Sequence, residues 1–201
     1  MRDWPHKPTP RYRRAVFLDR DGTINADTHY PHLAEELIMI PHAIAGLKLL
    51  AKLPLDIIVV SNQSGIALGI FTRDQMANFN DELRARIESA GARIDAFYFC
   101  PHLVPSHLPP EVSPCECSKP SPGMLLEAAN DFGIDLSQSF LIGDKTSDIV
   151  AGKSVGCTTV LVKTGKAGKE EGALTVDSDY VSDNLYRAAL QIHQVYHKSL
   201  A

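Results

Sequence analysis

Short apolar runs that alternate with helical patterns constrain this chain more than any other feature. Residues 15–18, 57–60, 97–99, 140–142 and 159–162 are continuous, brief and rich in β-branched or aromatic side chains, the signature of strands buried on both faces. Between them, 43–53, 72–90, 122–132 and 146–155 read as helices. In 72–90, Thr72 and Gln75 fit a capping box, Met76, Phe79, Leu83 and Ile87 recur at helical spacing, and Gly91 stands where a helix can end. Gly133 and Gly156 follow the next two helices, and Ser182 is placed to cap a last one carrying Leu185, Ala189, Ile192 and Tyr196 on one face. Strands separated by helices predict right-handed crossovers and an α/β fold with a parallel sheet covered on both faces. In such sheets ligands bind beyond the carboxyl ends of the strands.

The 201 residues contain no internal repeat and suit one domain, over 15–201. Ahead of it, residues 1–14 carry five Lys or Arg, one acid and three prolines, which reads as a loosely held basic tail. Across the chain 20 Lys and Arg face 24 Asp and Glu, a balance that argues against a nucleic-acid partner. No apolar run approaches the roughly 20 residues needed to cross a bilayer, and the polar N-terminus lacks a secretory h-region. The expectation is a cytoplasmic protein with no membrane partner. With no heptad seam in view, it is also expected to be a monomer.

Three polar clusters stand at strand ends: Asp19-Arg20-Asp21-Gly22-Thr23, Ser61-Asn62-Gln63-Ser64-Gly65 and Gly143-Asp144-Lys145-Thr146-Ser147-Asp148. Any one of them would pass for turn chemistry, since Asp and Ser favour turns and caps. All three on one edge call for another explanation. Asp19, Asp21 and Asp144 would repel each other in a crevice unless a hard cation, Mg²⁺, sat among them. On an extended segment Asp19 and Asp21, two apart, face one side. One carboxylate can attack phosphorus, and a second can pass a proton to the leaving oxygen and later take one from water. The Ser61 hydroxyl, backbone N–H groups and a lysine would hold the phosphoryl oxygens as charge shifts.

Residues 100–121 have no periodicity and hold six of the 13 prolines. A structureless stretch that long within one domain demands a role. Cys100 and His102 are separated by one residue, twelve residues follow, and Cys115 and Cys117 repeat the one-residue gap. Three thiolates and an imidazole suit a closed tetrahedral Zn²⁺ site that staples the loop 100–117, with no position left for a reacting water. His107 is the alternative to His102, and disulfides or free thiols are the alternatives to zinc, the former disfavoured in a cytoplasmic chain. Cys157 has no partner at metal spacing and reads as a small core residue. Lys119 follows Cys117 by two positions, so the stapled loop would position that cation.

Together Asp19-x-Asp21-Gly-Thr, Ser61, Lys119 before a helix and Gly143-Asp144-x-x-x-Asp148 resemble, in order, the four motifs of the haloacid dehalogenase (HAD) superfamily. The resemblance implies a HAD-like, Rossmannoid sheet, with Asp19 as nucleophile, Asp21 as general acid/base, and Ser61 and Lys119 on the phosphoryl group. It also implies Mg²⁺ held by the Asp19 carboxylate, the Asp21 carbonyl and Asp144, with Asp148 orienting the cluster from behind. Adding C-x-H…C-x-C before K-P-x-P-G-M, and N-Q-S-G-I-A, makes residues 15–165 similar to the D-glycero-D-manno-heptose 1,7-bisphosphate 7-phosphatase group and its histidinol-phosphate phosphatase relatives. Removal of the 7-phosphate from a small sugar bisphosphate is therefore the expected activity, with histidinol phosphate or another small monoester as the alternative substrate. Asp27, Thr28, His29 and Tyr30, with Ser61, Asn62, Gln63 and Ser64, would line the substrate pocket, and Ser118, Lys119 and Lys145 would add contacts.

Three positions depart from the group's pattern: Ser118 replaces an arginine before the lysine, His29 a glycine before the tyrosine, and Leu68 the arginine of I-A-R-G. They bear on substrate and anomer, since a hydroxyl cannot grip a phosphate as a guanidinium does. Only 37 residues separate Thr23 from Ser61, too few for a large cap domain beside the helix and strand they must hold. A non-enzymatic zinc-stabilised binding module is the rival from another class. The cysteine clamp alone supports it, and it leaves the converging carboxylates and Lys119 unexplained.

Overall fold

Six parallel strands form one sheet in a computed structural model that describes residues 13–103 and 115–198. In chain order they are β1 (Ala15–Leu18), β2 (Asp56–Asn62), β3 (Ala96–Cys100), β4 (Phe140–Gly143), β5 (Thr158–Val162) and β6 (Tyr180–Ser182). The helices are α1 (Ala43–Leu50), α2 (Arg73–Ser89), α3 (Gly123–Phe132), α4 (Thr146–Ser154) and α5 (Leu185–Lys198). Strand order is β3-β2-β1-β4-β5-β6, so the sheet winds outward both ways from its centre and reverses between β1 and β4. That reversal opens a crevice at the carboxyl ends of those two strands.

Period-two alternation divides the core. Val16, Leu18, Ile57, Val59, Ile142 and Val160 point to one face, covered by α1, α2 and α5 through residues such as Leu47, Phe79, Leu83, Leu185 and Ile192. Ala15, Phe17, Ile58, Val60 and Leu141 point to the other, covered by α3 and α4 through Met124, Leu125, Ala128 and Ala151. Burial on both faces is why these strands read as unbroken apolar runs. The capping box forms as the spacing predicts: Thr72 Oγ1 accepts from Gln75 N at 3.2 Å, and Gln75 Oε1 accepts from Thr72 N at 2.9 Å.

Two local expectations differ from the structure. Ser182 lies in β6, where its hydroxyl donates to Gln191 Oε1 at 3.1 Å, and Asn184 caps α5 by accepting from Arg187 N at 3.0 Å. β6 itself carries no apolar run, because an edge strand of three residues buries little. At the other end, Arg13 N donates to Gly133 O and Asp56 N to Arg14 O, both at 2.9 Å, so the last two residues of the expected tail belong to the fold. Residues 1–12 lie outside the described residues. Between β1 and β2 the chain forms only a 3-10 turn (Ala34–Glu36) and α1, with no cap domain. No helix among the described residues is long and apolar enough to cross a membrane.

Candidate active site

β1 ends by handing Asp19 to the crevice, with Asp19 N held by Ile142 O of β4 at 2.9 Å. β4 delivers Asp144, and the first turn of α4 delivers Asp148. From the opposite side comes Lys119, which is 4% exposed. Its Nζ lies 2.7 Å from Asp19 Oδ1 and 2.6 Å from Asp148 Oδ1, and donates to Val60 O at 2.8 Å. Residues 100 positions apart thus meet in one buried ion cluster.

Its electrostatics follow from burial and charge placement. Burial penalises ionised Asp19, but Lys119, with help from Lys145, outweighs it and holds the carboxyl below the usual aspartate range. For Lys119 the carboxylates of Asp148 and Asp19 likewise overcome desolvation and raise the ammonium's pKa. For Asp144 the pull of Lys145 is outweighed. Burial and the nearby Asp19 charge push it up to about 8. Burial also raises Asp148, against the pull of Lys119.

The cluster fits a hard cation. Asp19, Asp144 and Asp148 offer oxygens within 4.8 Å of one another. Asp148 is already engaged, by Lys119 and by Lys145 N at 3.1 Å. Asp19 Oδ2 and Asp144 Oδ1, by contrast, are buried with no hydrogen-bond partner among the described residues. Two buried carboxylate oxygens without a partner are donors that suit a hard cation. Asp144 Oδ2 is fixed by Lys166 N at 2.6 Å. Backbone closes over it, for a Cβ on Gly165 would lie 2.0 Å from that oxygen and one on Gly22 2.4 Å.

Asp21 is turned to different partners. Arg20 donates to both of its oxygens, from Nε at 3.0 Å and from one guanidinium nitrogen at 2.9 Å. Asn25 Nδ2 and Gln63 Nε2 add bonds of 2.8 and 3.0 Å. Gln63 Nε2 also donates to Ser61 Oγ at 2.6 Å, which ties the end of β2 to Asp21. Arg20 and Asn80, both within this network, were not singled out by the sequence. The visible signal was a cation between two aspartates.

Cys100, His102, Cys115 and Cys117 come together as their spacing suggests, with all four cysteines of the chain free. Sulfur–sulfur separations run from 2.9 to 3.4 Å, and His102 Nδ1 lies 3.3 Å from Cys117 Sγ and 3.6 Å from Cys100 Sγ. Around a tetrahedral cation with metal–sulfur bonds of about 2.3 Å the sulfurs stand about 3.8 Å apart, so the shell closes with movements below about 1 Å. Burial raises the pKa of Cys100, and burial with thiol–thiol contact raises that of Cys117, the penalty a cation would relieve. His107 lies outside the described residues. Cys157 is a buried core residue whose thiol burial pushes up to about 12.

Comparison with known proteins agrees with this geometry. Residues 116–188 match the HAD-hydrolase-like family model. The chain is 38% identical over 164 residues to the D-glycero-beta-D-manno-heptose-1,7-bisphosphate 7-phosphatase of Yersinia pestis, a match covering 81% of this chain and 87% of the relative. The chain belongs to the heptose-1,7-bisphosphate 7-phosphatase family of HAD-like hydrolases. The D-glycero-alpha-D-manno member from Photorhabdus laumondii is also 38% identical, over 175 residues, covering 86% of this chain and 93% of the relative. In structure, the D,D-heptose 1,7-bisphosphate phosphatase of B. bronchiseptica, solved with magnesium and phosphate, superposes with a TM-score of 0.79 at 28% identity over 90% of this chain and 99% of that one. Members of this family are phosphoric monoester hydrolases, and so is this chain.

After β1 the chain runs through Asp27, Thr28, His29 and Tyr30, the expected substrate wall. Asp27 Oδ2 lies 3.7 Å from Lys145 Nζ, which links this wall to the end of β4. His29 and Tyr30 adopt left-handed backbone at φ 70° and 64°. That conformation favours glycine, and a histidine there costs about 1–2 kcal/mol. Thr28 and His29 are exposed, and the His29 ring meets Tyr30 edge-on at 5.0 Å. Leu68 is 45% exposed.

Two of the expected substrate contacts have distinctive surroundings. Ser118 is fully buried, and its hydroxyl has no hydrogen-bond partner among the described residues. Asn62 spends its amide on Lys119, accepting from Lys119 N and donating to Lys119 O, both at 3.0 Å. The reason is local: Lys119 sits in a loop with no strand or helix of its own to fix its backbone, and Asn62 supplies both bonds. Gln63 and Ser64 are buried beside Ser61. Thr164 Oγ1 donates to Gly22 O at 2.7 Å and Gly168 N to Asp144 O at 2.8 Å, which makes the loop after β5 part of the site.

Proposed function

We propose that this chain removes the 7-phosphate from D-glycero-D-manno-heptose 1,7-bisphosphate by Mg²⁺-dependent hydrolysis through an aspartyl-phosphate. The observation that carries the reading is Lys119 bridging Asp19 and Asp148 beside the unpartnered oxygens of Asp19 and Asp144. Asp19, kept ionised by Lys119, attacks phosphorus. Asp21 gives a proton to the leaving sugar oxygen and then takes one from the water that cleaves the acyl-phosphate. Lys119, Ser61 and adjacent N–H groups neutralise the phosphoryl oxygens. Asp19, Asp144 and the Asp21 carbonyl would hold Mg²⁺, which supplies charge neutralisation at the phosphoryl group. Asp148 orients Lys119, and Lys145 with the Asp27–Tyr30 wall contacts the sugar.

Cys100, His102, Cys115 and Cys117 hold a structural Zn²⁺ in this reading, and the stapled loop sets the position of Lys119. The enzyme acts as a cytoplasmic monomer on a small soluble substrate, without nucleic-acid or membrane partners. The test is phosphate release, with and without Mg²⁺, from both anomers of the heptose bisphosphate, from the corresponding monophosphates and from histidinol phosphate. The expected result is a clear preference in kcat/KM for one anomer of the bisphosphate. A preference for histidinol phosphate or for a monophosphate overturns the substrate assignment, and Mg²⁺-independent turnover overturns the mechanism.

A further inference from the structure

Arg20, at 1% exposed, is the largest fully buried side chain among the described residues, and it directly follows the nucleophile in the chain. Its guanidinium reaches four parts of the fold at once. It forks onto Asp21, donates to Pro31 O and to Gln63 Oε1 at 3.2 Å each, and donates to Asn80 Oδ1 of α2 at 3.0 Å. The plane lies over the Phe79 ring, with Cζ 4.6 Å from the centroid. Asn80 is in turn fixed through Nδ2, which donates to Met76 Sδ at 3.0 Å. Packing alone would be served by an apolar side chain, since burying a guanidinium carries a desolvation cost. What the charge adds is a rigid fork that leaves Asp21 one orientation.

The same network contains Ser61. Gln63 presents one amide edge to Arg20 and the other to both Ser61 Oγ and Asp21 Oδ2. The phosphoryl-holding hydroxyl and the proton-transferring carboxylate are thereby set relative to each other. We infer that Arg20, anchored by Asn80, is a positioning residue that holds the Asp21 carboxylate in line with the leaving-group oxygen. This rests on the reading of Asp21 as the acid. In the step concerned, an Asp19 oxygen bonds to phosphorus as the bond from phosphorus to the leaving oxygen breaks, and that oxygen takes the Asp21 proton. Water then attacks phosphorus, returns a proton to Asp21, and the Asp19–phosphorus bond breaks to free inorganic phosphate. A misplaced acid slows the first half most when the leaving group departs poorly without a proton.

The test compares kcat/KM for phenyl phosphate and p-nitrophenyl phosphate, which are close in shape but differ in leaving-group quality, with Mg²⁺ present. Because kcat/KM reports steps up to departure of the alcohol, hydrolysis of the acyl-phosphate does not mask the effect. Arg20→Lys, which keeps the charge and loses the fork, is expected to lose about 100-fold on phenyl phosphate and less than about 5-fold on p-nitrophenyl phosphate. Asn80→Ala, at a half-buried position, is expected to lose about 10-fold and about 2-fold respectively, and decides the matter if Arg20→Lys does not fold. Asp21→Asn is the reference and should discriminate most. Equal losses on both substrates, or none, in the Arg20 and Asn80 variants while Asp21→Asn discriminates would overturn the inference and leave the proposed function standing. Failure of Asp21→Asn itself to discriminate would overturn the role of Asp21.

Discussion

Replacing Lys119 by Met keeps most of the side-chain volume and removes one positive charge from a site that is 4% exposed. At 2.7 Å from Asp19, with an effective dielectric of about 20, that charge attracts the carboxylate by about 6 kcal/mol, and Asp148 at 2.6 Å gains a similar amount. Much of this offsets the cost of burying the ions, so the net loss on breaking the cluster is about 3–5 kcal/mol. For a chain of this length that lowers Tm by roughly 6–20 °C, and Mg²⁺ should recover part of it by compensating Asp19. Activity falls further than stability. Loss of the cation over the phosphoryl oxygens alone costs about 100- to 1000-fold in kcat. The sign of the pH effect follows from the shift at Asp19. Lys119 lowers its pKa, so without Lys119 the carboxyl titrates higher. Across the acidic to neutral range, the rise of kcat with pH should therefore lie at higher pH in the variant than in the native protein. Phosphate release and thermal melts across that range, with and without Mg²⁺, check each part. A variant within tenfold of native kcat, with an unchanged pH profile, would refute the placement of Lys119 at the reacting phosphate.

Three further outcomes are expected. Asp144, at about 8 without a cation, holds a proton at neutral pH that Mg²⁺ must displace. Calorimetry in buffers of different ionisation enthalpy should find about one proton released per ion at neutral pH and affinity that rises with pH up to about 8, whereas pH-independent affinity counts against it. Metal analysis of protein prepared without chelators should give about one zinc per chain, and stripping it should lower Tm and kcat together; full activity in zinc-free protein would detach the loop from catalysis. Asn62→Ala removes both bonds that hold the Lys119 backbone, so it should cost about 1–3 kcal/mol and reduce kcat with zinc content unchanged. An unaltered kcat would show that the loop alone positions Lys119.

How much of this was legible depends on whether a residue announces itself by period or by contact. β1 appears in the sequence with the bounds it has in the fold, and β2 to β5 within a residue or two, because strands buried on both faces must be apolar throughout. β6 does not appear, since Tyr180–Ser182 lies at the sheet edge with Val181 exposed. Among the candidate site residues, Asp19, Asp144 and Asp148 follow from the rule that strand ends carry the site, and the cluster of Cys100, His102, Cys115 and Cys117 follows from two matching one-residue gaps. That Asn62 holds the Lys119 backbone and that Ser118 is fully buried did not follow. Both touch the Lys119 loop, which has no periodicity, so nothing local says whether a side chain there faces substrate, backbone or core.

By itself the sequence determined the kind of the main elements, the edge on which the carboxylates gather and the meeting of three cysteines with a histidine, because hydrophobic period and ligand spacing are properties of neighbouring residues. Only the tertiary structure decided that Lys119 lies between Asp19 and Asp148, that Arg20 from β1's exit and Asn80 from α2 share one network on Asp21, and that the loop after β5 closes on Asp144. These partners are tens of residues apart or more, and which buried charge finds which counter-charge is settled by how the crossovers bring chain ends together.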